Sequence, residues 1–195
     1  PYRLPDFGQK GIAARTDYHV EGKHQMIAFL TAAKSTGGEG RPFCARTKDG
    51  AKTWEFVSWI GPEPKRGYAI MPASVRLSAS KLLVMIRCKS APKTWLEGYL
   101  SSDNGASWRP IDLGGVGFGA SNPPSLIKLR DGRLCLTYGF RSADPFGIRA
   151  RLSGDQGKTW SREILLRTGG STGDLGYPRC IQRPDGKVVS VYYFN

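Results

Sequence analysis

The sequence predicts an all-β chain, an incomplete β-propeller holding between three and four blades of four antiparallel strands. Two periodic features carry that expectation. The first is a turn written three times, as Thr47-Lys-Asp49-Gly-Ala51-Lys-Thr53-Trp54, Ser101-Ser-Asp103-Asn-Gly105-Ala-Ser107-Trp108 and Ser153-Gly-Asp155-Gln-Gly157-Lys-Thr159-Trp160. Its aspartates lie 54 and then 52 residues apart, a period that suits a four-stranded blade and not a helical repeat. The second is a strand, hairpin, strand pattern in another phase, around Asp131-Gly132 and again around Asp185-Gly186.

Together the two phases divide the chain into blades at about 12–60, 68–112 and 121–167, with a further blade beginning at 176–195. In each blade strand A precedes the Asp-Gly hairpin and strand B follows it. Strand C leads into the Ser/Thr-x-Asp turn, and strand D starts near its Trp. The first blade has the most diverged A–B pair, from Ile12 to Phe29 around Glu21-Gly22, and the second a degenerate one from Met71 to Ile86. Apolar runs such as Leu82–Ile86 and Val188–Val191 are short and bounded by turn signals, as strands buried on both faces are.

The repeated turn has a local physical explanation. An Asp at the mouth of a tight hairpin accepts hydrogen bonds from amides just ahead of it, and the Ser or Thr hydroxyl closes the network. Gly105 and Gly157 supply left-handed backbone, whereas Ala51 bears a steric cost there unless Gly50 takes over that conformation. Trp54, Trp108 and Trp160 are expected to pack between neighbouring sheets with their indole N–H groups paired. Asp49, Asp103 and Asp155 are therefore read as turn staples. A calcium loop would need more acidic side chains.

Because the A–B and C–D turns are tight and share one end of the array, the longer B–C and D–A connections gather at the other. That rim is the expected functional face. Its segments are 34–41, 61–71, 87–95, 111–122, 141–146 and 166–177.

Composition narrows the partner. The chain has 195 residues, with 29 Lys and Arg against 16 Asp and Glu, a net charge of +13. Anionic partners are favoured electrostatically. The basic residues are spread over all blades without a Lys/Arg run of the kind that tracks phosphates, which argues against nucleic acid; an acidic sugar or polysaccharide suits the same charge equally well, and charge alone does not choose. Cys44, Cys88, Cys135 and Cys180 fall about one per blade with no C-x-x-C pair, which predicts buried thiols. No cofactor or metal is expected, and no apolar run is long enough for a membrane span. His19 and His24, the only histidines, flank the first A–B turn away from the rim, which argues against a Ser-His-Asp hydrolase. The chain starts at Pro1 and stops in a strand B at Asn195; it is expected to be a piece of a longer protein or to assemble with other copies.

The three turns and the strand pattern, from about Ile12 to Asn195, resemble the Asp-box repeats of the sialidase superfamily, whose members are six-bladed propellers. The stretch Gly176-Tyr177-Pro-Arg179 through Asp185 to Tyr193 resembles more particularly the BNR-repeat, exo-α-sialidase-like proteins. The resemblance implies hydrolytic removal of terminal sialic acid or a related acidic sugar from glycans, and secretion or export to the periplasm. It makes Tyr177 the nucleophile, since the family's Tyr lies at that offset before the Asp-Gly turn. A neutral phenol suits this chemistry because the anomeric carbon carries a carboxylate that repels an anionic nucleophile.

Arg15 and Arg179, read as equivalent strand-A positions, would grip the substrate carboxylate, with Arg87 and Arg141 beside them where strand B leaves for the rim. Asp174, in a Gly-rich loop, and Glu39 are the candidate acids or bases. Where the family usually places a carboxylate after the strand-B Tyr, this chain has Tyr193. Tyr68 and Phe118 are candidates to stack on sugar. The alternatives are a non-catalytic propeller that binds glycan or protein, and an assembly factor that uses its rim for protein contact.

Overall fold

The computed structural model describes residues 2–113, 123–141 and 145–195, without the side chains of 14–16. Fourteen strands are present among them. The first sheet holds β1 (Ile12–Gly22), β2 (Gln25–Ala32), β3 (Arg41–Thr47) and β4 (Glu55–Trp59) in sequence order. The second holds β5 (Tyr68–Arg76), β6 (Leu82–Ser90), β7 (Lys93–Ser101) and β8 (Arg109–Ile111). The third holds β9 (Ser125–Lys128), β10 (Leu134–Phe140), β11 (Phe146–Ser153) and β12 (Ile164–Gly170), and β13 (Gly176–Gln182) pairs with β14 (Val188–Tyr193). All pairings are antiparallel. The first strands of successive sheets, β1, β5, β9 and β13, are neighbours, which makes the sheets blades of a partial propeller. No described helix is long and apolar enough to cross a membrane.

The core lies between blades, so the central strands are apolar on both faces. Ile27 and Phe29 of β2 meet Leu82, Val84 and Ile86 of β6, with Trp108 packed alongside. The other face of β6, Leu83 and Met85, meets Leu134, Leu136 and Tyr138 of β10 together with Trp160. On the far face of the first blade, Ala28, Leu30 and Phe43 pack with Trp54, Phe56 and Trp59. Each repeated Trp thus lies on the same side of its own blade. The Trp108 indole donates to Ser58 Oγ at 3.0 Å and that of Trp160 to the Gly157 carbonyl at 3.1 Å. All four cysteines are buried free thiols.

The three turns share one hydrogen-bond pattern. One carboxylate oxygen of Asp49, Asp103 or Asp155 accepts the backbone N–H of Thr53, Ser107 or Thr159 at 2.9–3.0 Å, and the other accepts that residue's hydroxyl. The hydroxyl of Thr47, Ser101 or Ser153 in turn donates to the carboxylate. These bonds hold the Asp49 and Asp155 carboxyls down at about 2, the Thr53 amide contributing most for Asp49 and the Thr159 hydroxyl for Asp155; Asp103 is lowered in the same way, by Ser107. A carboxyl depressed by folding stabilises the folded state above its unfolded value of about 4, and that contribution disappears as pH falls through about 2. The melting temperature should therefore drop between pH 5 and pH 2, and Asp155→Asn should flatten that slope in thermal unfolding.

Two consecutive left-handed residues close each turn, and in the first copy both Gly50 (φ 74°) and Ala51 (φ 67°) adopt the strained region. Gly50 does not relieve Ala51. Ala51→Gly is expected to raise unfolding free energy by about 1 kcal/mol in urea titrations.

Candidate functional site

On the long-loop rim, four side chains from the third and fourth blades converge. Arg141 follows the last residue of β10, Asp174 sits in the connection before β13, Tyr177 is the second residue of β13 and Tyr193 ends β14. A register shift between Gly176 and Arg179 marks a bulge, and Tyr177 itself has φ 50°. A bulky residue in that region is uncommon, and such strain clusters at functional positions. Its ring stacks on Tyr193, with centroids 5.7 Å apart and planes 29° apart, while the Arg141 guanidinium lies 5.7 Å from its centroid.

The chemistry of the cluster centres on Tyr193. Its phenol donates to Asp174 Oδ1 and accepts from Arg141 Nη2 at 2.9 Å. Arg141 is fixed by the Leu175 carbonyl, to which Nε and Nη2 donate at 2.9 and 2.7 Å. Burial, first, and then the Asp174 carboxylate push the Tyr193 phenol above its usual range, against the pull of Arg141. At neutral pH it is therefore a protonated phenol with an adjacent base for its proton and an adjacent cation for the charge that forms when the proton leaves.

Of the residues read from the sequence, the structure brings together Tyr177, Asp174 and Arg141. Tyr177's own phenol has no hydrogen-bond partner among the described residues; the phenol paired with a carboxylate is Tyr193. Arg179 is exposed two residues beyond Tyr177 on β13. Arg87 lies elsewhere on the rim, its guanidinium 5.4 Å from the Tyr68 ring centroid and its Nη1 3.6 Å from Met71 Sδ. Glu39 is exposed in the β2–β3 connection, and no described contact joins it to the cluster. Phe118 lies outside the described residues.

The equivalence of Arg15 and Arg179 is corrected by the pairing. Arg179 stands opposite Val191, three residues into β14 from Val188, the partner of Gln182. In the first blade the corresponding place, opposite Phe29, is held by Asp17. Arg15 falls in the irregular stretch between Ala13 and Asp17, and its side chain is outside the described ones. The cause is the first hairpin, which lacks the Asp-Gly turn and closes between Gly22 and Gln25.

Asp17 instead accepts from the Ser74 amide at 2.6 Å and hydroxyl at 2.7 Å, with His19 Nε2 3.1 Å from the same hydroxyl. Here the carboxylate bonds the serine directly and does not orient the imidazole, so the trio lacks the relay order of a Ser-His-Asp hydrolase. Among the described residues no group of three or more His, Cys, Asp and Glu is arranged to hold a metal ion.

Residues 22–189 match the BNR repeat-like domain family. The chain belongs to that family. Solved structures share the BNR chain's fold at low identity. The α-L-arabinofuranosidase of Fusarium graminearum with an iminosugar inhibitor superposes with a TM-score of 0.66 at 17% identity, over 90% of this chain and 57% of its own. The endo-arabinase of Bacteroides thetaiotaomicron gives 0.63 at 14%, over 85% and 64%. A family 117 glycoside hydrolase of Zobellia galactanivorans gives 0.63 at 14%, over 98% and 69%. The BNR chain thus spans somewhat over half the length of the first of these structures, and the likeness establishes the propeller fold. No curated protein sequence matches it.

Proposed function

We propose that this BNR-repeat chain forms part of an exo-acting, retaining glycoside hydrolase that removes a terminal acidic sugar, sialic acid being the first candidate. The observation that carries the reading is the Tyr193 phenol held between Asp174 and Arg141. In this scheme the Tyr193 oxygen bonds to the anomeric carbon as the glycosidic C–O bond breaks, and its proton passes to Asp174. The neutral phenol avoids the repulsion that a carboxylate nucleophile would meet from an acidic sugar. Arg141 stabilises the phenolate-like oxygen during attack, and the Tyr177 ring offers a face for the sugar. Arg179 and Arg15 are candidates for the substrate carboxylate, and Glu39 for protonating the leaving oxygen. The net charge of +13 favours an anionic substrate.

A second reading is a propeller that binds glycan without cleaving it. It is favoured by the double hold of the Leu175 carbonyl on Arg141, which occupies donors that would otherwise face a substrate carboxylate. The deciding experiment is turnover of a chromogenic sialoside by the full-length protein and its Tyr193→Phe variant, with a chromogenic α-L-arabinofuranoside as the neutral control. Absence of turnover on both substrates overturns the enzyme reading, and turnover of the arabinofuranoside alone overturns the acidic-sugar assignment.

A further inference from the structure

A separate cavity opens between the first two blades, away from the Tyr177–Tyr193 cluster. Its volume is about 220 Å³, and it is enclosed by the β4–β5 connection, β6 and β7. Trp95, Glu97 and Tyr99 alternate along β7 and so share one face of the strand. All three line the cavity, together with Pro62, Arg66 and Lys89 and with apolar side chains such as Ile60 and Ile86. The size suits one sugar ring and not a chain of them.

The distinctive group is Glu97. Its Oε1 accepts from the Trp95 indole at 2.8 Å and its Oε2 from the Tyr99 phenol at 2.8 Å. It forms no ion pair among the described residues, although the chain carries 29 Lys and Arg. An ionised carboxylate has about four lone-pair sites, so two neutral donors leave it acceptor capacity. Burial, and then Glu97 itself, raise the neighbouring Cys88 thiol far above its usual range, so Cys88 stays protonated and is no nucleophile.

The geometry is deliberately held at one place. Gly61 (φ +74°) passes so close to Tyr99 that a Cβ there would stand 2.6 Å from the ring, which confines the Tyr99 ring against β7 and keeps its hydroxyl on Glu97. A fixed carboxylate beside indole and phenol faces recognises a ring with hydroxyl donors at its edge and C–H groups on its face. A purely apolar guest would leave the Glu97 lone pairs unmet, and an organic cation would meet Arg66 and Lys89 in the same wall.

We propose that this inter-blade cavity is a second carbohydrate site that takes a single sugar residue, its hydroxyls donating to Glu97 and its apolar face lying on Trp95. The choice of a sugar rests on the glycoside-hydrolase reading. The test is NMR observation of the Trp95 indole N–H in the full-length protein, titrated with L-arabinose and with N-acetylneuraminic acid. At least one should move the Trp95 indole saturably while the Trp160 indole stays still. Glu97→Gln should weaken that titration by roughly tenfold or more, and Tyr177→Phe should leave it unchanged.

No saturable shift with either sugar overturns the site, as does a shift that Glu97→Gln leaves intact. Should Glu97→Gln prove unfolded, the wild-type titration decides alone. Hydrolysis is scored separately. Saturable binding here by a protein that turns over no glycoside sinks the hydrolase reading and upholds this site, whereas turnover without binding here does the reverse.

Discussion

Tyr193→Phe is expected to lower kcat on a terminal acidic glycoside by roughly 10⁴–10⁶-fold, between the upper range for losing a proton-transfer group and the cost of losing a nucleophile, with KM nearly unchanged. The substitution removes only the oxygen. The ring's stacking on Tyr177 survives, so a sugar that rests on the aromatic pair still binds. Arg141 keeps both of its bonds to the Leu175 carbonyl, and Asp174, whose side chain is 72% exposed, is hydrated without its phenol partner. The melting temperature should accordingly stay within a degree or two of wild type.

Tyr177→Phe is the internal control. Its phenol has no hydrogen-bond partner among the described residues, so its loss should change kcat by less than about tenfold, the effect of one weak contact. The reverse pattern, an active Tyr193→Phe and an inactive Tyr177→Phe, returns the nucleophile to Tyr177 and overturns the Tyr193 scheme. Asp174→Asn separates base from scaffold, because an amide oxygen still accepts the phenol hydrogen bond but takes up no proton. It should lose turnover while keeping glycan affinity.

What could be read in the sequence was what is local. The Ser/Thr-x-Asp turns are written in side chains that bond to amides a few positions away, so their spacing announces the blades before any tertiary contact is considered. The apolar character of β2, β6 and β10 on both faces follows from their place between sheets. Tyr177, Asp174 and Arg141 were legible as rim residues because strand ends and connections share one side of such an array.

What was hidden depends on register. One irregular hairpin in the first blade shifts β1 so that Asp17, not Arg15, faces Phe29. Tyr193 departs from the expected carboxylate, yet it lies as far after Asp185 as Tyr177 lies before it. Residues placed evenly about a tight hairpin arrive near one another, although the bulge at Tyr177 sets Gly176, and not Tyr177, directly opposite Tyr193. The β7 alternation of Trp95, Glu97 and Tyr99 was equally visible, but a cavity requires knowing what else lines it, and Pro62 comes from the preceding blade's connection.

Trp160→Ala should cost about 3–5 kcal/mol of unfolding free energy, the scale for emptying a buried indole site. Trp160 is only 8% exposed and packs across the blade boundary with Leu83 and Met85 of the second blade and Leu134 and Leu136 of its own. Those strands are bonded within their own sheets, so they can close around the missing ring only by moving one blade toward the other. Gly157 already sits so near Leu83 that a Cβ would fall 2.7 Å from its Cδ2, which limits that approach. The cavity therefore persists, and the Gly157 carbonyl loses its indole donor. Trp54 occupies the matching position in the first blade but is half-buried, on a face with no described blade against it. Trp54→Ala should cost this chain less than half as much. Urea midpoints for the two variants, with m unchanged, measure the difference, and equal losses would mean that the indole stabilises its own turn and not the contact between blades.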